Sequence, residues 1–163
     1  MYDIAWVSEA DLDGITTLLQ NNAPSRGGAL TGEFPRDKVV LMTQGDARVI
    51  VAHREGNVVG VLFSSSKRNV SAPSVRAMLD AWPGSDDAYI YGPACIADTE
   101  RGQGLLAKLY TVLRDYYPNR EAVLFIRADN VASIRAHERL GMHEVSRFLF
   151  EGFCYLIFSD RAV

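Results

Sequence analysis

Arg101-Gly102-Gln103-Gly104-Leu105-Leu106 stands between an apolar stretch and an amphipathic pattern, a placement suited to anion chemistry. A glycine turn that opens a helix bares backbone N–H groups at the positive end of the helix dipole, and both features favour a phosphate. Gly102 and Gly104 can take positive φ and carry no Cβ to hold a pyrophosphate off the amides, while Arg101 adds a cation. The same residues would also serve a plain strand-to-helix connection. His137 is the next candidate. An imidazole titrating near neutrality can release a proton, and the same ring can equally be a satisfied packing group. Tyr91 shares a strand face with Tyr89, from which a hydroxyl could reach an amine or a leaving group, or simply fill the core. Cys95 lies in an apolar strand without a histidine at a telling spacing, so a nucleophilic role is disfavoured. Glu33, Asp86 and Asp87 fall in loops, where an acidic rim would draw a cationic amine and where solvated carboxylates are also the rule.

The elements that must position these residues follow from periodicity and punctuation. Tyr2–Val7 alternates as a strand, and Ser8 caps a helix with Leu12, Ile15, Leu18 and Leu19 on its apolar face. Residues 21–36 are polar and glycine-rich, followed by a helical turn or two at Val39–Met42. Arg48–His53 and Val58–Ser64 read as a hairpin joined through Arg54-Glu55-Gly56-Asn57, and Pro73–Trp82 as a helix within a long connection. Tyr89–Ala97 is strand-like but interrupted by Gly92-Pro93, which predicts a break in its ladder. After the glycine turn, Leu105, Leu109, Val112, Leu113 and Tyr116 recur at helical spacing up to Pro118. Ala122–Ile126 is a continuously apolar strand, Asn130 caps a helix over Val131–Leu140 that Gly141 stops, and Glu144–Phe150 and Phe153–Ser159 form a last hairpin.

Bulk properties bound the class. At 163 residues, 48% hydrophobic, the chain suits one domain with a single core and needs no covalent staple. A net charge of −3 gives no general attraction to nucleic acid or to an anionic membrane. Cys95 and Cys154 match no zinc spacing, and no signal peptide or membrane-length stretch is present, which together predict a soluble, cytoplasmic, reduced protein.

The order strand, R-G-Q-G turn, helix, strand, Asn-capped helix, Leu140-Gly141-Met142 and final strand pair resembles the GCN5-related N-acetyltransferase superfamily. Its acyl-CoA signature, Arg/Gln-x-x-Gly-x-Gly/Ala, maps onto Arg101, Gly104 and Leu106. A second signature, Asn-x-x-Ser/Ala-x-x-x-Tyr-Glu-x-x-Gly-Phe, maps onto Asn130, Ser133, His137, Glu138, Gly141 and Met142. The resemblance implies an α+β fold whose mixed, mostly antiparallel sheet is flanked by helices and splays at a bulge in the Tyr89–Ala97 strand. It implies acetyl-CoA as cosubstrate without a metal, held by Ala94, Cys95 and Ile96 through the backbone, by Arg101, Gly102, Gln103, Gly104, Leu105 and Leu106, and by Asn130 and Ser133. His137 and Tyr91 are the expected catalytic residues, acting while an amine attacks the thioester directly. The acceptor is a small-molecule or peptide amine, and a homodimer is an assembly this reading admits. Two departures stand out: Leu106 replaces a small residue, and His137 replaces the tyrosine that reprotonates CoA in many relatives. The second keeps open a non-catalytic acyl-CoA binder or sensor. A nicotinamide dinucleotide enzyme, which Gly102, Gly104 and Ala107 also fit, is disfavoured because the chain ends in a hairpin instead of further parallel units.

Overall fold

The computed structural model of the chain describes residues 1–161. In order it forms β1 (Asp3–Trp6), α1 (Leu12–Asn21), α2 (Arg36–Met42), β2 (Ile50–Arg54), β3 (Asn57–Ser66), α3 (Pro73–Ala81), β4 (Tyr89–Ile96), α4 (Leu105–Tyr116), β5 (Ala122–Arg127), α5 (Val131–Arg139), β6 (His143–Phe150) and β7 (Phe153–Ser159). The strands make a mixed sheet in the order β1-β2-β3-β4-β5-β7-β6. Pairings β1–β2, β2–β3, β5–β7 and β6–β7 are antiparallel, and β4–β5 is parallel. This is the expected α+β class. The chain divides into two compact units, one comprising Met1–Ser64 and Gly92–Pro118, the other Ser65–Tyr91 and the chain from Asn119 onward.

In the first unit, Glu55 and Gly56 take φ of +53° and +80° between β2 and β3, the paired positive angles that match the twist of a two-residue hairpin. Ser8 and Asp11 form a capping box ahead of α1, with Ser8 N–H donating to Asp11 Oδ2 at 2.8 Å. Such a cap is worth about 1 kcal/mol. Fully burying a leucine or isoleucine contributes about 2 kcal/mol, and Ile15 and Leu19 are both completely buried. Packing therefore holds α1 more than capping does. Its partners are Val39 of α2, Val51, Val61 and Phe63 of the sheet, and Cys95 of β4. Gly60 of β3 allows a close approach on another side: a Cβ there would stand 3.2 Å from Ile96 Cδ1 and from Leu105 Cδ2. That clearance seats the first turn of α4 on the sheet. The apolar face of α4 differs from the expected one. Leu105, Leu109, Tyr110 and Leu113 are buried, whereas Tyr116 is 43% exposed and packs its edge against Trp6. Tyr117, one residue past the helix, fills the inner place and meets Ser64 Oγ at 3.0 Å. The helix ends there, so its last residue does not continue the buried stripe.

In the second unit, Met78 of α3 packs with Ala88, Ile90, Val123 and Ile157. The parallel ladder between β4 and β5 comprises Tyr89–Ala122 and Ile90–Val123, both ahead of the Gly92-Pro93 interruption. Gly92 has φ of +111°, a backbone state that glycine favours, and Pro93 has no N–H to give a neighbour. The last hairpin turns at Glu151 and Gly152, with φ of +50° and +83°.

Candidate functional site

The glycine turn lies in the first unit. It leaves β4 through a short 3-10 turn at Asp98–Glu100 and enters α4 at Leu105. Gly102 and Gly104 adopt φ of +77° and +74°, and nothing lies within 4 Å of the position a Cβ would take on either. Residues 101–104 are exposed, Leu105 is buried and Leu106 is half-buried. Lys108 N–H donates to Gly104 O at 3.3 Å as the first bond of the helix. Helix geometry therefore leaves the N–H groups of Leu105, Leu106 and Ala107 without intrahelical acceptors. An open, dipole-positive turn of this kind fits the diphosphate of an acyl-CoA. The Arg101 guanidinium is engaged with protein, at 2.9 Å from Asp98 Oδ1, 2.8 Å from Asn22 Oδ1 and 3.3 Å from Ile96 O. Its role in this structure is to fasten the turn to the end of α1.

In the same unit, β4 divides its side chains by alternation. Cys95 turns into the core shared with α1, where its thiol lies 3.9 Å from Leu18 O, and Ile96 turns toward α4. Burial pushes the Cys95 pKa up to about 12. The thiol is thus protonated at neutral pH and unsuited to nucleophilic work.

The second unit brings Tyr91, Ser133 and His137 together. Asn130 caps α5, its Oδ1 accepting Ser133 N–H at 3.2 Å. The next turn places His137 Nδ1 2.8 Å from Ser133 O, with Ser133 Oγ at 3.3 Å. A carbonyl only accepts, so Nδ1 carries the hydrogen and Nε2 is left as the acceptor. Tyr91 Oη stands 3.0 Å from that Nε2, and its O–H donates to it. Both residues are about 95% buried, Tyr91 4% and His137 5% exposed, with the rings edge-to-face at 5.4 Å. Burial lowers the His137 pKa from 6.5, only partly opposed by the bond to Ser133, so the imidazole is neutral at pH 7.

The model of the acetyltransferase (GNAT) family matches residues 16–142, more than half of the chain. The chain belongs to this family. No curated protein matches the GNAT chain at the sequence level. Solved structures share its fold. The ribosomal-protein-S18-alanine N-acetyltransferase of Escherichia coli is 17% identical with a TM-score of 0.69, over 98% of this chain and 92% of that one. Arabidopsis thaliana NAA60 in complex with a bisubstrate analogue is 15% identical with a TM-score of 0.73, over 98% of each chain. The putative acetyltransferase yncA of Salmonella typhimurium, solved with acetyl-CoA, is 19% identical with a TM-score of 0.71, over 98% and 92%.

Of the loop carboxylates, Asp86 and Asp87 are exposed, while Glu33 accepts Ser25 N–H and Oγ–H and closes its own loop. Two buried carboxylates escaped the sequence reading of this GNAT chain. Glu121, ahead of β5, accepts from Ser159 Oγ, Ser85 N and Oγ, and Trp82 Nε1, locking the α3–β4 connection. Glu100 sits beside the glycine turn and is 5% exposed. No spacing signals either one, because apart from Thr99 beside Glu100 their partners lie far away in sequence. Among the described residues no group of three or more His, Cys, Asp and Glu side chains is placed to hold a metal ion. No helix among them is long and apolar enough to cross a membrane.

Proposed function

We propose that this GNAT-family chain is an acetyl-CoA-dependent N-acetyltransferase, a single domain over residues 1–163. It acts in the cytoplasm on a primary amine of a small molecule or peptide. The observation that carries the reading is the open Gly102–Gly104 turn with bare first-turn amides on α4, inside the segment that matches the family. Its structural neighbours support it by what they bind: yncA was solved with acetyl-CoA, and the Escherichia coli enzyme modifies an alanine amine.

When bound, acetyl-CoA supplies an activated thioester. The amides at residues 102–106 would hold its diphosphate and backbone groups of Ala94–Ile96 its pantetheine arm; the family resemblance adds Asn130 and Ser133 to the residues that bind it. An N–H of that β4 segment would polarise the carbonyl, a task that requires a fixed donor in a site from which water is excluded.

Tyr91 and His137 handle the proton as one unit. At rest the pair is neutral, and Nε2 is an unprotonated base that accepts the Tyr91 O–H. As the amine attacks, its proton passes to Tyr91 Oη while the Tyr91 proton passes to Nε2. The imidazolium keeps its Nδ1–H on the Ser133 carbonyl. The same two transfers in reverse deliver a proton to the departing sulfur, so a C–N bond replaces the C–S bond and the amine hydrogen ends on the thiol. Burial favours the return step, because a desolvated imidazolium is a readier acid.

Mixing the protein with acetyl-CoA and a panel of amines, and reading free thiol, tests the proposal. Release with at least one amine is expected, reduced about 100-fold or more in Tyr91→Phe. CoA binding without release for any amine replaces the reading with a non-catalytic acyl-CoA binder, and no CoA binding removes both.

A further inference from the structure

An acidic residue beside a turn that receives a diphosphate is electrostatically misplaced unless its charge is used elsewhere. Glu100 immediately precedes Arg101 and is buried. Its carboxylate accepts Arg54 Nη1–H at 2.7 Å, Tyr2 O–H at 2.8 Å and Thr99 Oγ1–H at 2.9 Å. Arg54 comes from the end of β2, and Tyr2 precedes β1. Tyr2 Oη also stands 3.1 Å from Gln103 Oε1, in the middle of the turn, and Lys108 Nζ lies 5.4 Å from the centre of its ring. On the other flank Arg101 ties the turn to Asn22. Between these anchors run Gly102 and Gly104, which have no side chains to fix them and whose backbone freedom must be lost on binding.

We infer that Tyr2, Glu100 and Arg54 form a brace that positions the glycine turn, holding its amides ready for the diphosphate and thereby setting acyl-CoA affinity. Arg54 neutralises the carboxylate, so the brace adds no repulsion at the anion site. Tyr2 gives its one hydroxyl hydrogen to the carboxylate, and the Gln103 side-chain amide lies 3.1 Å from the same oxygen, so both ends of the turn pack against one residue. Ordering that is complete before the ligand arrives is not charged against binding. The brace rests on the acyl-CoA reading above, and its members touch the turn, not the reacting atoms.

Tyr2→Phe removes one hydroxyl from a half-buried ring and leaves the ion pair in place; Arg54→Gln removes the neutralising charge. CoA binding by calorimetry, acetyl-CoA kinetics and amide hydrogen exchange over residues 98–104 of the free protein read the result. Both variants are expected to raise the CoA Kd and the acetyl-CoA KM by about three- to tenfold, with kcat and the amine KM within about twofold of wild type. Exchange over the turn is expected to quicken well beyond exchange in the rest of the fold, while the melting temperature of Tyr2→Phe falls only by the loss of one bond to Glu100. Wild-type Kd, KM and turn exchange in Tyr2→Phe would overturn the brace and leave the acetyltransferase reading intact. A wild-type protein that binds no CoA would remove that reading and the affinity role together.

Discussion

At Nδ1, His137 donates to a carbonyl one helical turn earlier, and that bond fixes which nitrogen faces Tyr91. On the proposed mechanism, this sets the pH dependence. Burial lowers the His137 pKa from 6.5, so the neutral form needed to receive a proton persists below that value and is lost only on further acidification. The acid limb of kcat/KM against pH is expected to lie below 6.5, and His137→Gln to abolish it together with about 100-fold or more of kcat. A limb that persists in the variant would assign the titration to another group. Cys95 and Cys154 offer a second contrast. Cys95 is buried with its pKa raised to about 12, and Cys154 is half-buried. Iodoacetamide at pH 7.5 should alkylate Cys154 in the native protein and reach Cys95 only after denaturation, as peptide mass spectrometry would show.

Among the elements, two glycines of similar φ differ in what surrounds them. Gly104, at +74°, has open space where a Cβ would stand, while Gly84, at +70°, would place one 2.9 Å from Glu121 Oε1 and 3.0 Å from Val123 Cγ2. Gly104→Ala is expected to cost about 1–2 kcal/mol of stability from backbone strain alone. On the proposed acyl-CoA reading, its methyl group would also crowd the diphosphate and weaken CoA binding by more than that strain explains. Gly84→Ala adds a clash to the same strain and should cost about 2–4 kcal/mol in urea unfolding. It is not expected to alter CoA affinity in the fraction that remains folded. Equal effects on binding would show that the turn at α4 has no special part in it. Similar elements of the chain were legible in advance for local reasons. The Glu55-Gly56 and Glu151-Gly152 turns, the Ser8 and Asn130 caps and the Gly141 stop each depend on a few adjacent residues. The buried face of α4 was not legible at its end, because whether Tyr116 or Tyr117 turns inward depends on where the helix stops and on what Ser64 offers.

Across the whole molecule, Asp11, Glu33, Glu100, Glu121 and Asp129 are all held below their ordinary carboxylate values. For Glu121, burial pushes the pKa up, but the bonds from Ser159, Ser85 and Trp82 outweigh it. A carboxylate with a depressed folded-state pKa stabilises the fold above its unfolded value near 4.5 and loses that contribution as pH falls through the folded value. The melting temperature should therefore begin to fall below about pH 6.5, where unfolded His137 takes up a proton that the buried ring resists, and fall steeply below about pH 4.5. Glu121→Gln should melt lower at pH 7 and show a shallower acid decline; an unchanged decline would mean that Glu121 carries little of it. The sequence by itself determined what periodicity and short-range chemistry control: the order of strands and helices, the positive-φ turn that opens α4, the capped helix that carries His137, and the family they jointly resemble. Only the tertiary structure decided which distant groups meet. Tyr91 and His137 lie 46 residues apart, Glu100 and Tyr2 lie 98 apart, and Arg101 is drawn to Asn22 across 79. Hydrogen-bond partners at such separations are selected by the packing of whole elements, and nothing in the adjacent residues encodes that choice.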